Sequence, residues 1–175
     1  MGSSLFEILA LSMVAGLATG LGGLIVIIRR PGKKVLGFLM GLAAGIMITL
    51  SFLKLMWESV KISGFLLAAS GFVIGSFLMF FLDFLLPHKF FSVDEKGMMD
   101  GRFLKSSILI AIGISLHNFP EGIAVASGYS YLPRLGLVIA VAMTLHNIPE
   151  GIAISLPAYM AGASKMAAFR LALIS

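Results

Sequence analysis

The chain has 175 residues, of which 59% are hydrophobic and only 12% are charged. A soluble domain carries about 25% charged residues, so this composition excludes an ordinary water-soluble protein. The absence of cysteine excludes a disulfide scaffold and a thiolate metal site, while twenty glycines favour helices that pack closely through small residues. The net charge of +5 does not indicate nucleic-acid binding, because the basic residues form short clusters between apolar runs without interleaved aromatic residues.

Apolar stretches long enough to cross a bilayer dominate the sequence. A spanning helix needs about 20 mostly apolar residues, and a short piece cannot cross a hydrocarbon core of about 30 Å. The sequence therefore predicts an all-α transmembrane multi-helix bundle, with residues 1–175 forming a single membrane domain that is part of a longer protein. It has five complete spans and the start of a sixth: 5–28, 35–53, 64–86, 106–128, 133–157 and the partial span 166–175.

The distribution of lysine and arginine predicts the orientation of these spans. The first, third and fifth loops hold ten of the thirteen basic residues, and the second and fourth loops hold three. Cytoplasmic loops carry the excess of positive charge. We therefore predict a multi-pass protein of the cell (plasma) membrane, with its N-terminus outside and its odd-numbered loops, including the long loop 87–105, in the cytoplasm.

One eight-residue motif occurs twice. HNFPEGIA at 117–124 returns 29 residues later as HNIPEGIA at 146–153, with one difference. Adjacent spans are antiparallel, so an approximate two-fold axis in the membrane plane should relate the copies, and inverted repeats of this kind hold transporter sites at the midplane. Within each copy, His and Glu are four residues apart and share one helix face, while Asn is turned by about 100°.

The repeated motif predicts a metal site. A charge at the centre of a membrane helix costs about 2.5–3.5 kcal/mol on insertion scales, and two glutamates at one depth also repel each other. A divalent cation would offset both costs, and imidazole, carboxylate and amide groups are suitable ligands. The alternative is a protonated, hydrogen-bonded glutamate pair that serves packing alone. The candidate ligands are His117, Asn118, Glu121, His146, Asn147 and Glu150.

The two motifs in adjacent spans resemble the signature of the ZIP (Zrt/Irt-like) divalent metal transporters, in particular bacterial and archaeal members. The resemblance covers the five complete spans and implies eight spans in the full protein, with a binuclear centre between the fourth and fifth helices and a further ligand beyond residue 175. One ion would be held by both histidines and both glutamates, and the other by Asn118, Asn147 and the same bridging glutamates. Residues 43–47, AAGIM, resemble a family stretch whose methionine lies beside the transport pathway, which implies a soft contact from Met47.

The function that the sequence predicts is passage of divalent transition metal ions into the cytoplasm. Zinc is the foremost substrate, with iron(II), manganese and cadmium as further candidates, because the ligands are nitrogen and oxygen. No organic cofactor is expected, and the family resemblance suggests a homodimer. The alternatives are an intramembrane metal-dependent hydrolase, although the zincin HExxH arrangement is absent, and a metal-sensing membrane receptor.

Overall fold

The structure, a computed structural model, describes residues 5–85 and 101–175. Apart from short connections, the chain is helical in these two ranges, and they contain no strand. One turn of π-helix, Leu50–Leu55, interrupts the second span. The helices are α1 Leu5–Ile28, α2 Lys33–Thr49, α3 Met56–Ser63, α4 Phe65–Leu85, α5 Gly101–Tyr131, α6 Pro133–Met160 and α7 Lys165–Leu173.

Several of these helices are long and apolar enough to cross a membrane. Within the described ranges they are 5–28, 33–63, 65–82 and 133–160. The motif-bearing helix α5 is also long, with 31 residues. The all-helical, membrane-spanning class predicted from the sequence is thus confirmed, and the exact number of spans stays a prediction.

The second span is longer than its apolar stretch. The prediction ended it at residue 53, whereas α2, the π turn and α3 continue together from Lys33 to Ser63. Glu58 pairs with Lys54 at 3.4 Å and with Lys61 at 3.3 Å, and contacts of this spacing stabilise a helix that is no longer apolar. The helix ends at Gly64, whose φ of 79° is open to glycine and unfavourable for other residues.

The fourth predicted span, 106–128, lies entirely within α5. Most of the predicted loop 87–105 lies outside the described residues, and α5 already begins at Gly101, before the predicted start of the span at residue 106. The helix is therefore longer than its apolar stretch on the side where that loop joins it.

Helix α6 forms the centre of the bundle. It packs against α1, α2, α5 and α7, and half of its residues are buried. A helix that is apolar all round is suited to such a central position. By contrast, α4 packs mainly against α3, and its large apolar side chains face outward, where lipid is the suitable solvent.

The closest helix contact joins α1 to α6 through glycine. A Cβ atom on Gly151 would overlap the carbonyl oxygen of Thr19, and one on Gly22 would overlap that of Ile148. Gly151 belongs to the second motif copy, whereas a Cβ on its counterpart Gly122 would meet nothing within 4 Å. The motif copies are therefore nearly identical in sequence but differ in packing.

We expect Gly151→Ala to destabilise the protein by about 1–3 kcal/mol, because the methyl group must push α1 away from α6. The matched substitution Gly122→Ala should leave stability unchanged or raise it by about 0.5–1 kcal/mol, the usual gain for alanine in a helix. The midpoint of thermal unfolding in detergent measures both effects. Equal midpoints for the two variants would contradict the glycine-mediated contact.

Candidate metal centre

Helices α5 and α6 bring the two motif copies into contact. Within α5, His117 Nε2 lies 3.4 Å from Glu121 Oε1, and within α6, His146 Nε2 lies 3.2 Å from Glu150 Oε1. Between the helices, His146 Nε2 lies 3.6 Å from Glu121 Oε1. The four side chains thus form one continuous series of contacts, with both carboxylates close to the same imidazole nitrogen.

Three of these side chains can present ligand atoms to a single point. His117, Glu121 and His146 each offer one atom, and the three atoms lie within 4.8 Å of one another. Ligand atoms sit at about 2.0–2.2 Å from a bound Zn²⁺, so a slight contraction would let all three share one ion. The group is the only one of its kind in the described part of the chain.

The buried polar atoms of the centre have an excess of acceptors. Glu121 is only 6% exposed and Asn147 only 2%. Within the described residues, five buried side-chain atoms lack a hydrogen-bond partner, and all five are oxygens: Asn118 Oδ1, Glu121 Oε1 and Oε2, Asn147 Oδ1 and Glu150 Oε2. Each unpaired buried polar atom costs about 1–3 kcal/mol. A cation satisfies such a set, because it binds acceptors and needs no donor.

The same atoms argue against a packing pair of glutamates. That alternative requires a hydrogen bond between the two carboxyl groups. Both oxygens of Glu121 lack a hydrogen-bond partner, so the pair is not formed.

A backbone carbonyl fixes the orientation of His146. Its Nδ1 lies 3.2 Å from the carbonyl oxygen of Ala43 in α2. A carbonyl oxygen can only accept, so Nδ1–H is the donor of this hydrogen bond, and Nε2 faces the two glutamates. Helix α2 therefore contributes to the site through its main chain.

Both asparagines are anchored by their nitrogen atoms. Asn147 Nδ2 donates to the carbonyl oxygen of Ala15 at 2.9 Å, and Asn118 Nδ2 donates to that of Ser175 at 3.2 Å. Their Oδ1 atoms remain unpaired. Asn118, Asn147 and Glu121 also line a cavity of about 30 Å³ that α1 closes on its other side. This oxygen-lined cavity can accommodate a single ion or water molecule.

Met47 lies outside this cluster. It packs against a buried apolar group that includes Leu50, Val125 and Met143. Val125 and Met143 also line the oxygen-lined cavity, and Met47 is not among the residues that line it. The structure thus gathers the six motif residues and leaves the thioether of Met47 among apolar side chains.

Sequence reasoning missed the contributions of α1 and α2. The carbonyls of Ala15 and Ala43 hold Asn147 and His146, and Ser12 lines the oxygen-lined cavity. The sequence feature that could have indicated these contributions is the small residues at these positions, AG at 15–16 and AAG at 43–45, because small residues let helices approach closely.

The apolar helices are those of a multi-pass membrane protein, and the buried histidine and carboxylate side chains form a group that could hold a metal ion. The family described as "ZIP Zinc transporter" matches residues 92–175. "Zinc transporter ZTP29" of Arabidopsis thaliana is 42% identical over 192 residues, covering 100% of this chain and 70% of that protein. "Zinc transporter ZupT" of Enterobacter sp. (strain 638) is 39% identical over 177 residues, covering 95% of this chain and 67% of that protein. The chain therefore belongs to the ZIP family.

Family membership decides two of the sequence predictions. The ZIP resemblance, with its bacterial relatives, is confirmed, and so is the prediction that the chain is not an enzyme, because the family consists of transporters. The hydrolase alternative is thereby removed. No solved structure matches the chain.

We expect Zn²⁺ to raise the midpoint of thermal unfolding of the purified protein. An ion present at about 100 times its dissociation constant stabilises the folded state by about 2.7 kcal/mol. The gain should disappear in Glu121→Gln, which keeps the shape of the side chain and removes its charge. Glu58→Gln is the control, since Glu58 contacts lysines and lies outside the centre. Equal zinc-induced shifts in both variants would contradict an ion at Glu121.

Proposed function

We propose that this protein carries divalent transition metal ions across the plasma membrane into the cytoplasm, through the centre between α5 and α6. The observation that supports this most is the buried set of five unpaired acceptor oxygens beside two imidazole rings. Zinc is the foremost substrate, because the two relatives are named zinc transporters and the centre combines nitrogen with oxygen ligands. Iron(II), manganese and cadmium accept similar ligands.

The centre suits two neighbouring ions. His117, His146, Glu121 and Glu150 would hold one ion with nitrogen and oxygen ligands. Asn118 and Asn147 would join the same glutamates around the second ion, in the oxygen-lined cavity. Glu121 supports this arrangement, because it contacts both imidazoles and also lines that cavity. A shared carboxylate would allow an ion to change partners without being released from all of its ligands.

The energetics favour passage over permanent trapping. An ion entering the centre loses hydration water, and the two carboxylates replace that interaction. A second ion bound to the same carboxylates would repel the first, which weakens the hold on each. Transport requires binding strong enough for entry and weak enough for departure.

The inward direction and the orientation are linked proposals. The positive-inside distribution supports an outer N-terminus, and the resemblance to the ZIP family supports movement towards the cytoplasm. The homodimer stays a prediction that rests on the resemblance.

We expect reconstituted protein to accumulate Zn²⁺ inside proteoliposomes with saturation kinetics. Glu121→Gln and Glu150→Gln should each lower the uptake rate by at least about tenfold, since loss of groups that hold or orient a metal typically costs 10–100-fold. Glu58→Gln should retain uptake and serves as the control. A metal-sensing receptor would bind zinc to the same residues without accumulating it, and that result would overturn the transport proposal.

Single cysteines can test the orientation, because the 175-residue chain has none. Ser130→Cys lies at the end of α5 that should face outward, and Lys165→Cys lies at the start of α7, which should face the cytoplasm. In intact cells a membrane-impermeant thiol reagent should label only the first variant. Labelling of Lys165→Cys alone would reverse the proposed orientation.

A further inference from the structure

The wall that α1 contributes to the oxygen-lined cavity carries one polar side chain. Ser12, Ala15 and Gly16 form that wall, and only Ser12 has a side-chain oxygen. Hydroxyl groups inside membrane helices commonly donate to a carbonyl three or four residues earlier. Thr19 in α1 does so to Gly16 at 2.8 Å, and Ser155 in α6 to Gly151 at 2.6 Å. Across residues 5–85 and 101–175, no partner is found for the Ser12 hydroxyl.

On the opposite wall, the buried polar atoms without a hydrogen-bond partner are all acceptors. Asn118, Glu121 and Asn147 line it, and their unpaired oxygens are buried. A hydroxyl group beside such acceptors can interact with them in two ways. Without an ion, its proton can be donated to a carboxylate oxygen. With an ion present, its oxygen lone pairs can bind the cation while the proton still bonds to a neighbouring carboxylate.

Helix α1 is held firmly against the centre. Asn147 donates to the Ala15 carbonyl, three residues along α1 from Ser12, and Thr19 lies against Gly151 with no room for a methyl group. These contacts fix α1 relative to α6. Ser12 is thus supported by packing of the kind that a precise ligand requires.

We propose that Ser12 is a further cation ligand, whose hydroxyl oxygen completes an all-oxygen site built from α1, α5 and α6. The inference rests on the proposed function, since it concerns the second ion of the same centre. Oxygen ligands favour harder ions such as Mn²⁺, whereas imidazole suits Zn²⁺ and sulfur suits softer ions such as Cd²⁺. Ser12 would therefore adjust metal preference at the second position without affecting the position beside the histidines.

The test replaces the oxygen and measures equilibrium binding of Mn²⁺ and Cd²⁺ to the purified protein. Ser12→Ala should weaken the second Mn²⁺ by about fivefold, the effect of one lost polar contact, while Ser12→Thr keeps the hydroxyl and should bind like the wild type. Ser12→Cys should favour Cd²⁺ over Mn²⁺ and add a sulfur-to-cadmium absorption band. Ser127→Ala removes an exposed hydroxyl from α5 and is the control.

The outcomes separate this inference from the transport proposal. Wild-type protein that binds two ions, with Ser12→Ala and Ser12→Cys within twofold of it for both metals, would overturn the role of Ser12 alone. Wild-type protein that binds one ion would overturn it as well, because the second position would not exist. Absence of any bound ion in the wild type would overturn both proposals. If Ser12→Ala does not fold, Ser12→Thr and Ser12→Cys decide the question by the same comparison.

Discussion

The carboxylate of Glu121 is buried with too few hydrogen-bond donors around it, and the arrangement of the site depends on how this charge is compensated. The side chain is 6% exposed, and its oxygens have no hydrogen-bond partner among the described residues, although imidazoles from both α5 and α6 lie within 3.6 Å. An isolated charge in so apolar a setting is costly. A cation bound as proposed would offset this cost, so the feature that destabilises the empty centre would also provide its affinity for the ion.

Near-identical sequence does not give the two motif copies identical surroundings. The copy in α6 is enclosed by α1 and α2, which hold His146 and Asn147 through main-chain carbonyls. The copy in α5 is more open, with 38% of the His117 side chain exposed against 9% for His146. The copy in α6 is therefore the more enclosed, and the copy in α5 is the more exposed.

The sequence predicted the helical class and the gathering of the six motif residues for identifiable reasons. A four-residue spacing places His and Glu on one face, and antiparallel neighbours bring two such faces together. The roles of Ala15 and Ala43 could not be predicted, because they use the backbone carbonyl, which every residue has whatever its side chain. Hydropathy could not show how far the helix of the second span continues, since it registers Lys54, Glu58 and Lys61 as charges but not as mutual partners. Met47 was chosen by resemblance and packs against apolar side chains, so its contact with a metal ion stays a prediction.

The π turn at Leu50–Leu55 divides the second span into two parts whose side chains differ in their rotation about the helix axis. A turn of this kind accommodates an additional residue, so side chains beyond it are rotated relative to those before it. The half that precedes the turn is constrained, because the Ala43 carbonyl must meet His146. The half after the turn, with its lysines and Glu58, does not have to keep the rotational alignment of the half before it. A change of orientation in the half after the turn therefore need not move the Ala43 carbonyl that contacts His146.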